Sequence, residues 1–364
     1  MTAAEFEAAG LYDPRSPKAA QRLELLEWLD ARGITLDQMK HANAIGQLQF
    51  VASMSFIRPG PYLTQQELAD RLGSTMEQVD EFRTAFGLPP VASDAPWCNE
   101  AEAKMFAAVG GGLGLFGSSG MLRLSRVIGS SVARIAEAMA TTNHERMRAI
   151  VGSGASELEI AKANLRASQT SDAPALITHG LLPLHLQLAS IRLRERRREY
   201  EQLTVHGCVG FVDLVGSTTL SRKVSVSDLA SIVDRFEEVA YEVATNRRGR
   251  VIKFIGDEVM FVTGDAASAC DIALTLIERF ADDDAVTPRA GLAEGEMLDR
   301  GGDYYGPVVN LAARLAELAV PNEVLLSADL ADQASSKGLR WESAGRRMLR
   351  GFDEPVSLIS VSRA

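Results

Sequence analysis

The stretch Gly210-Phe-Val-Asp-Leu-Val-Gly-Ser-Thr218 ends an apolar, strand-like run with Asp213 and follows it with Gly216, Ser217 and Thr218. The backbone N–H groups of such a turn can form a concave anion site. A second aspartate, Asp257, sits at the glycine turn of Lys253-Phe-Ile-Gly-Asp-Glu-Val-Met-Phe261, between two apolar runs that read as hairpin arms. An aspartate at a strand end can simply cap its turn. A hairpin paired beside the first strand, however, brings both carboxylates to one sheet edge, where they repel and raise one pKa unless a cation lies between them. Magnesium suits that arrangement, because it accepts one or two carboxylates plus substrate phosphates and keeps water elsewhere in its octahedron. Glu258, next to Asp257, is expected on the other face of its strand, toward solvent or a salt bridge.

These side chains need a sheet to hold them, and the second half of the chain has the pattern of one. Residues 205–215 read as a strand, 227–245 as a helix, 249–254 and 259–263 as the hairpin, 265–280 as a helix and 288–296 as a strand. A helix over 309–318 and a strand over 324–327 follow. This β-α-β-β-α-β order predicts a ferredoxin-like core with helices on one face of the sheet. The first half has helical spacing instead, as in Leu23, Leu26 and Leu29 or Val127, Ile128, Ile135 and Met139, with breakers at Pro59-Gly-Pro61, Pro89-Pro90 and the run Gly110 to Gly114. Arginines 192, 194, 196, 197 and 198 mark residues 186–200 as a charged connecting helix. The expected class is therefore α+β: an all-helical domain over 1–185, a charged helical linker over 186–204, and a mixed domain over 205–364.

With 364 residues, 46% hydrophobic and 24% charged, the chain has material for two or three packed domains. A formal net charge of −10 argues against broad attraction to nucleic acid or anionic membrane, so a phosphate ligand needs a metal or a focused site. Cys98, Cys208 and Cys270 lack metal-ligand spacing and read as reduced thiols of a cytoplasmic protein. The N-terminus has no basic region followed by an apolar core and does not read as a secretory signal. Two uncharged stretches, 105–122 and 173–191, approach spanning length, but six glycines interrupt the first and Pro174, Pro183 and two histidines the second. No transmembrane segment is expected, while contact with lipid or a membrane surface stays open. Residues 63–89 have the outline of a helix-turn-helix, yet the second helix begins with Glu77, Asp80 and Glu81 against a single Arg83, a charge pattern that repels DNA phosphates. No nucleic-acid partner is expected; a DNA-binding regulator acting through 63–89 is the alternative from another class.

FVDLVGST, KFIGDEVMF and Asp303-Tyr-Tyr-Gly-Pro-Val-Val-Asn-Leu-Ala-Ala-Arg314 resemble, in order and spacing, the motifs of class III nucleotide cyclases, over about residues 205–361. The segment LRGFDEPVSLISV is similar to that family's terminal strand region. The resemblance implies an adenylyl cyclase that makes 3′,5′-cyclic AMP and pyrophosphate from ATP with two Mg²⁺ or Mn²⁺ ions per active site. It assigns the metal to Asp213, Asp257 and the Leu214 carbonyl, and base recognition to Lys253 and Asp303. An ammonium donates to adenine N1 while a carboxylate accepts from the exocyclic amine, and guanine presents the opposite pattern. Asn310 matches the ribose-orienting residue, Arg314 the arginine that stabilises charge on the reacting phosphate, and Arg350 a triphosphate contact, along with Gly216, Ser217 and Thr218. One chain holds both halves of a site that the family shares between subunits, which implies a homodimer with two composite active sites. A guanylyl or diguanylate cyclase is the alternative, although neither is expected to carry this Lys, Asp, Asn and Arg set.

A helical domain ahead of such a core resembles the soluble, autoinhibited mycobacterial adenylyl cyclases that respond to pH. His144, His179, His185 and His206 lie around the linker and are the regulatory candidates, because histidine changes charge between pH 5 and 8. A histidine also serves as an ordinary hydrogen-bonded residue.

Overall fold

A computed structural model describes residues 1–169, 172–196, 204–215, 225–281, 283, 286–334 and 338–364. The chain clusters into two compact units, Met1–Ile191 and Arg192–Ala364.

The first unit is built from helices α1 (Ala3–Ala8), α2 (Ala19–Asp30), α3 (Leu36–Ala44), α4 (Val51–Ile57), α5 (Gln65–Leu72), α6 (Met76–Ala85), α7 (Glu100–Gly152), α8 (Glu157–Gln169) and, up to Ile191, α9 (Asp172–Arg196). A two-stranded ribbon, β1 (Tyr62–Leu63) with β2 (Cys98–Asn99), interrupts them. Helix starts are set locally: Thr2/Glu5, Thr35/Gln38, Thr64/Glu67, Thr75/Gln78 and Asn99/Glu102 each form a reciprocal capping box. Phe6, Leu25, Leu26, Leu29, Met39 and Ala161 form one core, and Leu68, Val79, Phe82, Phe106 and Met121 another.

Helix α7 corrects the reading of the glycine run. Gly110 to Gly114 are helical, and the interruption is a kink at Gly117, where φ is 66° and ψ 168°. A helical glycine costs about 1 kcal/mol, and burial of Phe106, Val109, Met121 and Leu122 on either side outweighs that cost. Further along α7 one glycine has a packing reason: a Cβ on Gly129 would lie 2.4 Å from the Phe86 carbonyl oxygen. By length and composition α7 is also apolar enough to cross a membrane, with 22% of its most apolar window buried.

Helices α5 and α6 form the expected pair, closed by Gly73 in the left-handed region at φ 62°. Arg83 is buried, donating to Asp80, to Thr84 and to the Leu88 carbonyl at 2.5 Å, while Glu77, Asp80 and Glu81 are exposed. The cation that a phosphate contact would need is spent on finishing the helix, which counts against the DNA-binding alternative.

The second unit is a mixed sheet. Its strands are β3 (Thr204–Val215), β4 (Arg250–Ile255), β5 (Glu258–Thr263), β6 (Thr287–Arg300), β7 (Asp303–Tyr305), β8 (Val324–Ser327), β9 (Leu339–Arg347) and β10 (Val356–Arg363). The order is β4-β5-β3-β6-β8-β10-β9, with β7 hydrogen-bonded back onto β6. Only β6 and β8 pair in parallel among these described strands. The four strands β4-β5-β3-β6 are the ferredoxin-like core, and β8, β10 and β9 extend it.

Alternation along β3 divides the core in two. Cys208, Val212 and Leu214 pack with Phe236 and Val239 of α10 (Val226–Asn246) and with Ile272 and Leu276 of α11 (Ala266–Arg279). Leu330 of α13 (Ala328–Gln333) joins the same cluster. Val209 and Phe211 belong to the opposite face, with Met260, Ala293 and Val308, Ala312 and Ala316 of α12 (Pro307–Leu318). Helices α10 and α11 thus share one face as expected, and α12 covers the other. Gly291 on β6 permits this close approach, since a Cβ there would lie 2.1 Å from the Ala316 amide nitrogen.

Candidate active site

Cross-strand register places the acidic residues. Asp213 on β3 lies directly opposite Glu258 on β5 and directly opposite Arg289 on β6. Residues opposite each other share a face, so Glu258, Asp213 and Arg289 form a row across the sheet on the face covered by α12. Asp257 stands in the turn that joins β4 to β5, and the Leu214 amide donates to its carbonyl at 3.3 Å. The hairpin tip is thereby fastened to the end of β3, which brings Asp213, Leu214 and Asp257 together.

The expectation for Glu258 is corrected by the same register. Asp257 belongs to the turn and takes no part in strand alternation, so its neighbour is free to fall on the Asp213 side. Glu258 is partly buried, and its carboxyl is pushed up to about 7 by burial, then by the charges of Asp213, Glu317 and Asp257. Arg289 opposes that shift. The cluster is thus short of positive charge. Among the described residues no three His, Cys, Asp or Glu side chains converge as a ready metal cage. Two carboxylates and a carbonyl nevertheless fit a hard, oxygen-seeking divalent ion that completes its shell with water and substrate phosphate.

Sequence reasoning did not single out Arg289. Its Nε and Nη2 both donate to Asp213 Oδ2, at 2.9 and 2.6 Å. Its Nη1 donates to the Glu317 carbonyl at 2.7 Å, in the last turn of α12 where helix carbonyls lack internal partners. The signal was present in the sequence: a lone arginine inside the apolar run from Val286 to Leu292 requires a buried partner.

A second pair forms between distant parts of the chain. Lys253 Nζ lies 2.6 Å from Asp303 Oδ2, both partly buried. Tyr304, 2% exposed, packs with Val205, Met260 and Met297, and its hydroxyl accepts from Arg250 Nη2 at 2.6 Å. β7 is folded back onto the sheet face in this way, and Asp303 reaches β4. The Asp303 carboxylate also accepts from the Tyr304 amide at 2.8 Å.

Asn310 is exposed in the first half of α12, and Arg314, one turn later, pairs with Glu317 at 2.6 Å. Arg350 is exposed in the turn between β9 and β10, on the added part of the sheet. Gly216, Ser217 and Thr218 lie outside the described residues. His144 on α7, His179 and His185 on α9, and His206 on β3 are all exposed.

The fold and the acidic end of β3 are those of a nucleotide cyclase domain. The profile of the adenylate and guanylate cyclase catalytic domain matches residues 199–359, and that of the adenylate cyclase regulatory domain matches 5–194. The uncharacterised protein Rv2212 of Mycobacterium tuberculosis is 30% identical over 366 aligned residues, covering 96% of this chain and 92% of that one. The pH-sensitive adenylate cyclase MT1302 of Mycobacterium tuberculosis is 32% identical over 94% of this chain and 88% of its own length. Among solved structures, the adenylyl cyclase CyaB from P. aeruginosa aligns with a TM-score of 0.40 and 23% identity, over 44% of this chain and 96% of that one. The chain belongs to the class III adenylyl cyclases that carry an adenylate cyclase regulatory domain.

Proposed function

We propose that the protein converts ATP to 3′,5′-cyclic AMP and pyrophosphate in a homodimer whose two active sites are each shared between chains. The observation that carries this reading is the contact between Lys253 and Asp303, which joins a donor and an acceptor at 2.6 Å from positions 50 residues apart. That pair complements the acceptor N1 and donor amine of adenine and mismatches guanine. Asp213, Asp257 and the Leu214 carbonyl would hold two Mg²⁺ or Mn²⁺ ions; when bound, these acidify the attacking hydroxyl and neutralise the triphosphate. Asn310 orients the ribose so that its 3′-oxygen lies in line with the α-phosphorus. The new bond joins that oxygen to the α-phosphorus, the bond to the bridging oxygen breaks, and pyrophosphate leaves. Arg314 leaves its Glu317 partner to stabilise the charge gathering on the phosphate. Gly216, Ser217, Thr218 and Arg350 are assigned to the triphosphate.

In the homodimer, the aspartates of one chain face Lys253, Asp303, Asn310 and Arg314 of the partner subunit. Mixing Asp257→Ala with Lys253→Ala chains should restore about a quarter to a half of native activity, because each heterodimer keeps one intact site. Chains shown to exchange that never recover activity would overturn the shared site. Product analysis with ATP or GTP, each with Mg²⁺ or Mn²⁺, tests the substrate: the expected product is cyclic AMP, and cyclic GMP in excess would refute the base assignment.

The helical unit is proposed to restrain the catalytic unit and to release it on acidification. The support is a pH-sensitive relative aligned along both units and four exposed histidines on α7, α9 and β3. A cytoplasmic location accords with the reduced, buried state of Cys98, Cys208 and Cys270.

A further inference from the structure

We infer that Arg250 and Tyr304 form a positioning pair for base discrimination: their contact clasps β7 to β4 and thereby sets the spacing between Lys253 and Asp303. The inference rests on the base-recognition role proposed above for Lys253 and Asp303, and it adds two residues that act through them.

Strand β7 has little local structure to hold it beyond its pairing with β6. It is three residues long, and glycines with positive φ flank it: Gly301 at 66° and Gly302 at 85° before it, Gly306 at 145° after it. Such a segment takes its place from its one buried side chain, Tyr304, which is 2% exposed. The ring packs with Val205, Met260 and Met297, and the hydroxyl accepts from Arg250 Nη2 at 2.6 Å. Asp303 is tied directly to that anchor. Its Oδ1 accepts from the Tyr304 amide at 2.8 Å, while Oδ2 accepts from Lys253 Nζ.

A β-bulge gives β4 the matching geometry. Arg250 stands opposite Val262 and Lys253 opposite Met260, with Ile252 as the extra residue between them. Residues three apart on a regular strand point to opposite faces. The bulge returns both to one face, that of Val262, Met260 and Tyr304, so Arg250 reaches Tyr304 on the side where Lys253 reaches Asp303. The two contacts differ in kind. Lys253 and Asp303 are 34% and 27% exposed, and solvent competes for their ion pair. Once the ammonium donates to adenine N1 and the carboxylate accepts from the exocyclic amine, their direct contact no longer sets their separation. The Arg250–Tyr304 contact involves neither group and holds β4 and β7 at the width of the base edge. A displacement of about 1 Å at a positioned group can lower the rate about a hundredfold.

The test compares ATP with purine riboside 5′-triphosphate, which keeps N1 and lacks only the exocyclic amine, as substrates of the full-length protein with Mn²⁺. The readout is the ratio of their kcat/KM values, because a general loss of structure lowers both alike. Tyr304→Phe and Arg250→Met should each lower the preference for ATP about tenfold, and the double variant should lower it no further. Arg250→Lys keeps a cationic donor and should stay within about threefold of the native ratio. Thermal midpoints measured in parallel identify the variants that are folded. Folded Tyr304→Phe protein with the native ratio overturns the inference, whether or not its overall turnover falls. Should Tyr304→Phe fail to fold, Arg250→Met decides by the same ratio, and a native value there overturns the inference. The base assignment fails separately if Asp303→Ala leaves the ratio unchanged.

Discussion

A carboxyl group that loses water without gaining a full set of partners holds its proton more tightly, and Glu294 on β6 is so placed. Its side chain is 7% exposed, its Oε1 lies 3.8 Å from His206 Nδ1, and its Oε2 has no hydrogen-bond partner. Burial raises its pKa; His206 opposes the rise, and Asp265 adds to it. A raised folded-state value means that the folded chain binds more protons than the unfolded one. The contribution to stability is therefore complete below the ordinary carboxylate range and is lost as pH rises through the raised value. Glu294→Gln mimics the protonated form. Its thermal midpoint should match the native one near pH 4 and exceed it at pH 8, and a difference that is constant across that range would refute the assignment. Legibility in the sequence divides at this scale as well. Asp213, Asp257, Lys253 and Asp303 stood out because each interrupts an apolar run or marks a turn. Arg289 and the facing of Glu258 did not, since both depend on which residues stand opposite Asp213 across two strand pairings. Register is a tertiary property that local alternation leaves open.

At the level of elements, the contact between α12 and β6 decides where Asn310 and Arg314 stand. Gly291 is the point of closest approach: a methyl group there would lie 2.1 Å from the Ala316 nitrogen and 2.2 Å from the Ala312 carbonyl oxygen, both backbone atoms that cannot step aside singly. Gly291→Ala must move the whole helix. It should destabilise the catalytic unit by about 1–3 kcal/mol and, in protein that remains folded, lower kcat more than tenfold. Gly264→Ala is the control, since nothing lies within 4 Å of a Cβ at that position. Calorimetric midpoints and turnover measured side by side check this, and equal behaviour of the two variants would show that the contact is dispensable. The strands and helices from 205 to 327 were readable because alternation and helical spacing follow each other cleanly, with an acidic or serine cap at α10 and α11. The face taken by α12 was not readable, because its apolar stripe of Val308, Ala312, Leu315 and Ala316 does not say which side of the sheet it covers until Gly291 is known to oppose it. The glycine run misled for a related reason: a conformational preference of about 1 kcal/mol per residue is decided by the packing partners of Phe106 and Met121, which are remote in sequence.

For the whole molecule, each unit has an apolar core of its own, and those of the catalytic unit use only residues 205–361. A fragment of residues 205–364 is therefore expected to fold alone. The helical unit leaves large apolar side chains in the open, with Leu115 at 81%, Leu176 at 70% and Leu182 at 67% exposure. Apolar surface on this scale commonly marks an interaction site, and the long helices α7 and α9 that bear it also carry His144, His179 and His185. His179 and His185 stand in a stretch, 173–191, that is otherwise uncharged, so a charge gained there at low pH makes any association through that surface costlier than at high pH. If that association holds the catalytic halves apart, acid releases them. Turnover of the full chain should then rise about fivefold or more between pH 8 and pH 6, a coupling of ordinary size, while the 205–364 fragment changes less than twofold. Replacing the three histidines with Asn should flatten the full-chain profile without altering the fragment. Parallel profiles for chain and fragment would refute control by the helical unit, and a steep profile that survives the triple substitution would move the sensor to other groups.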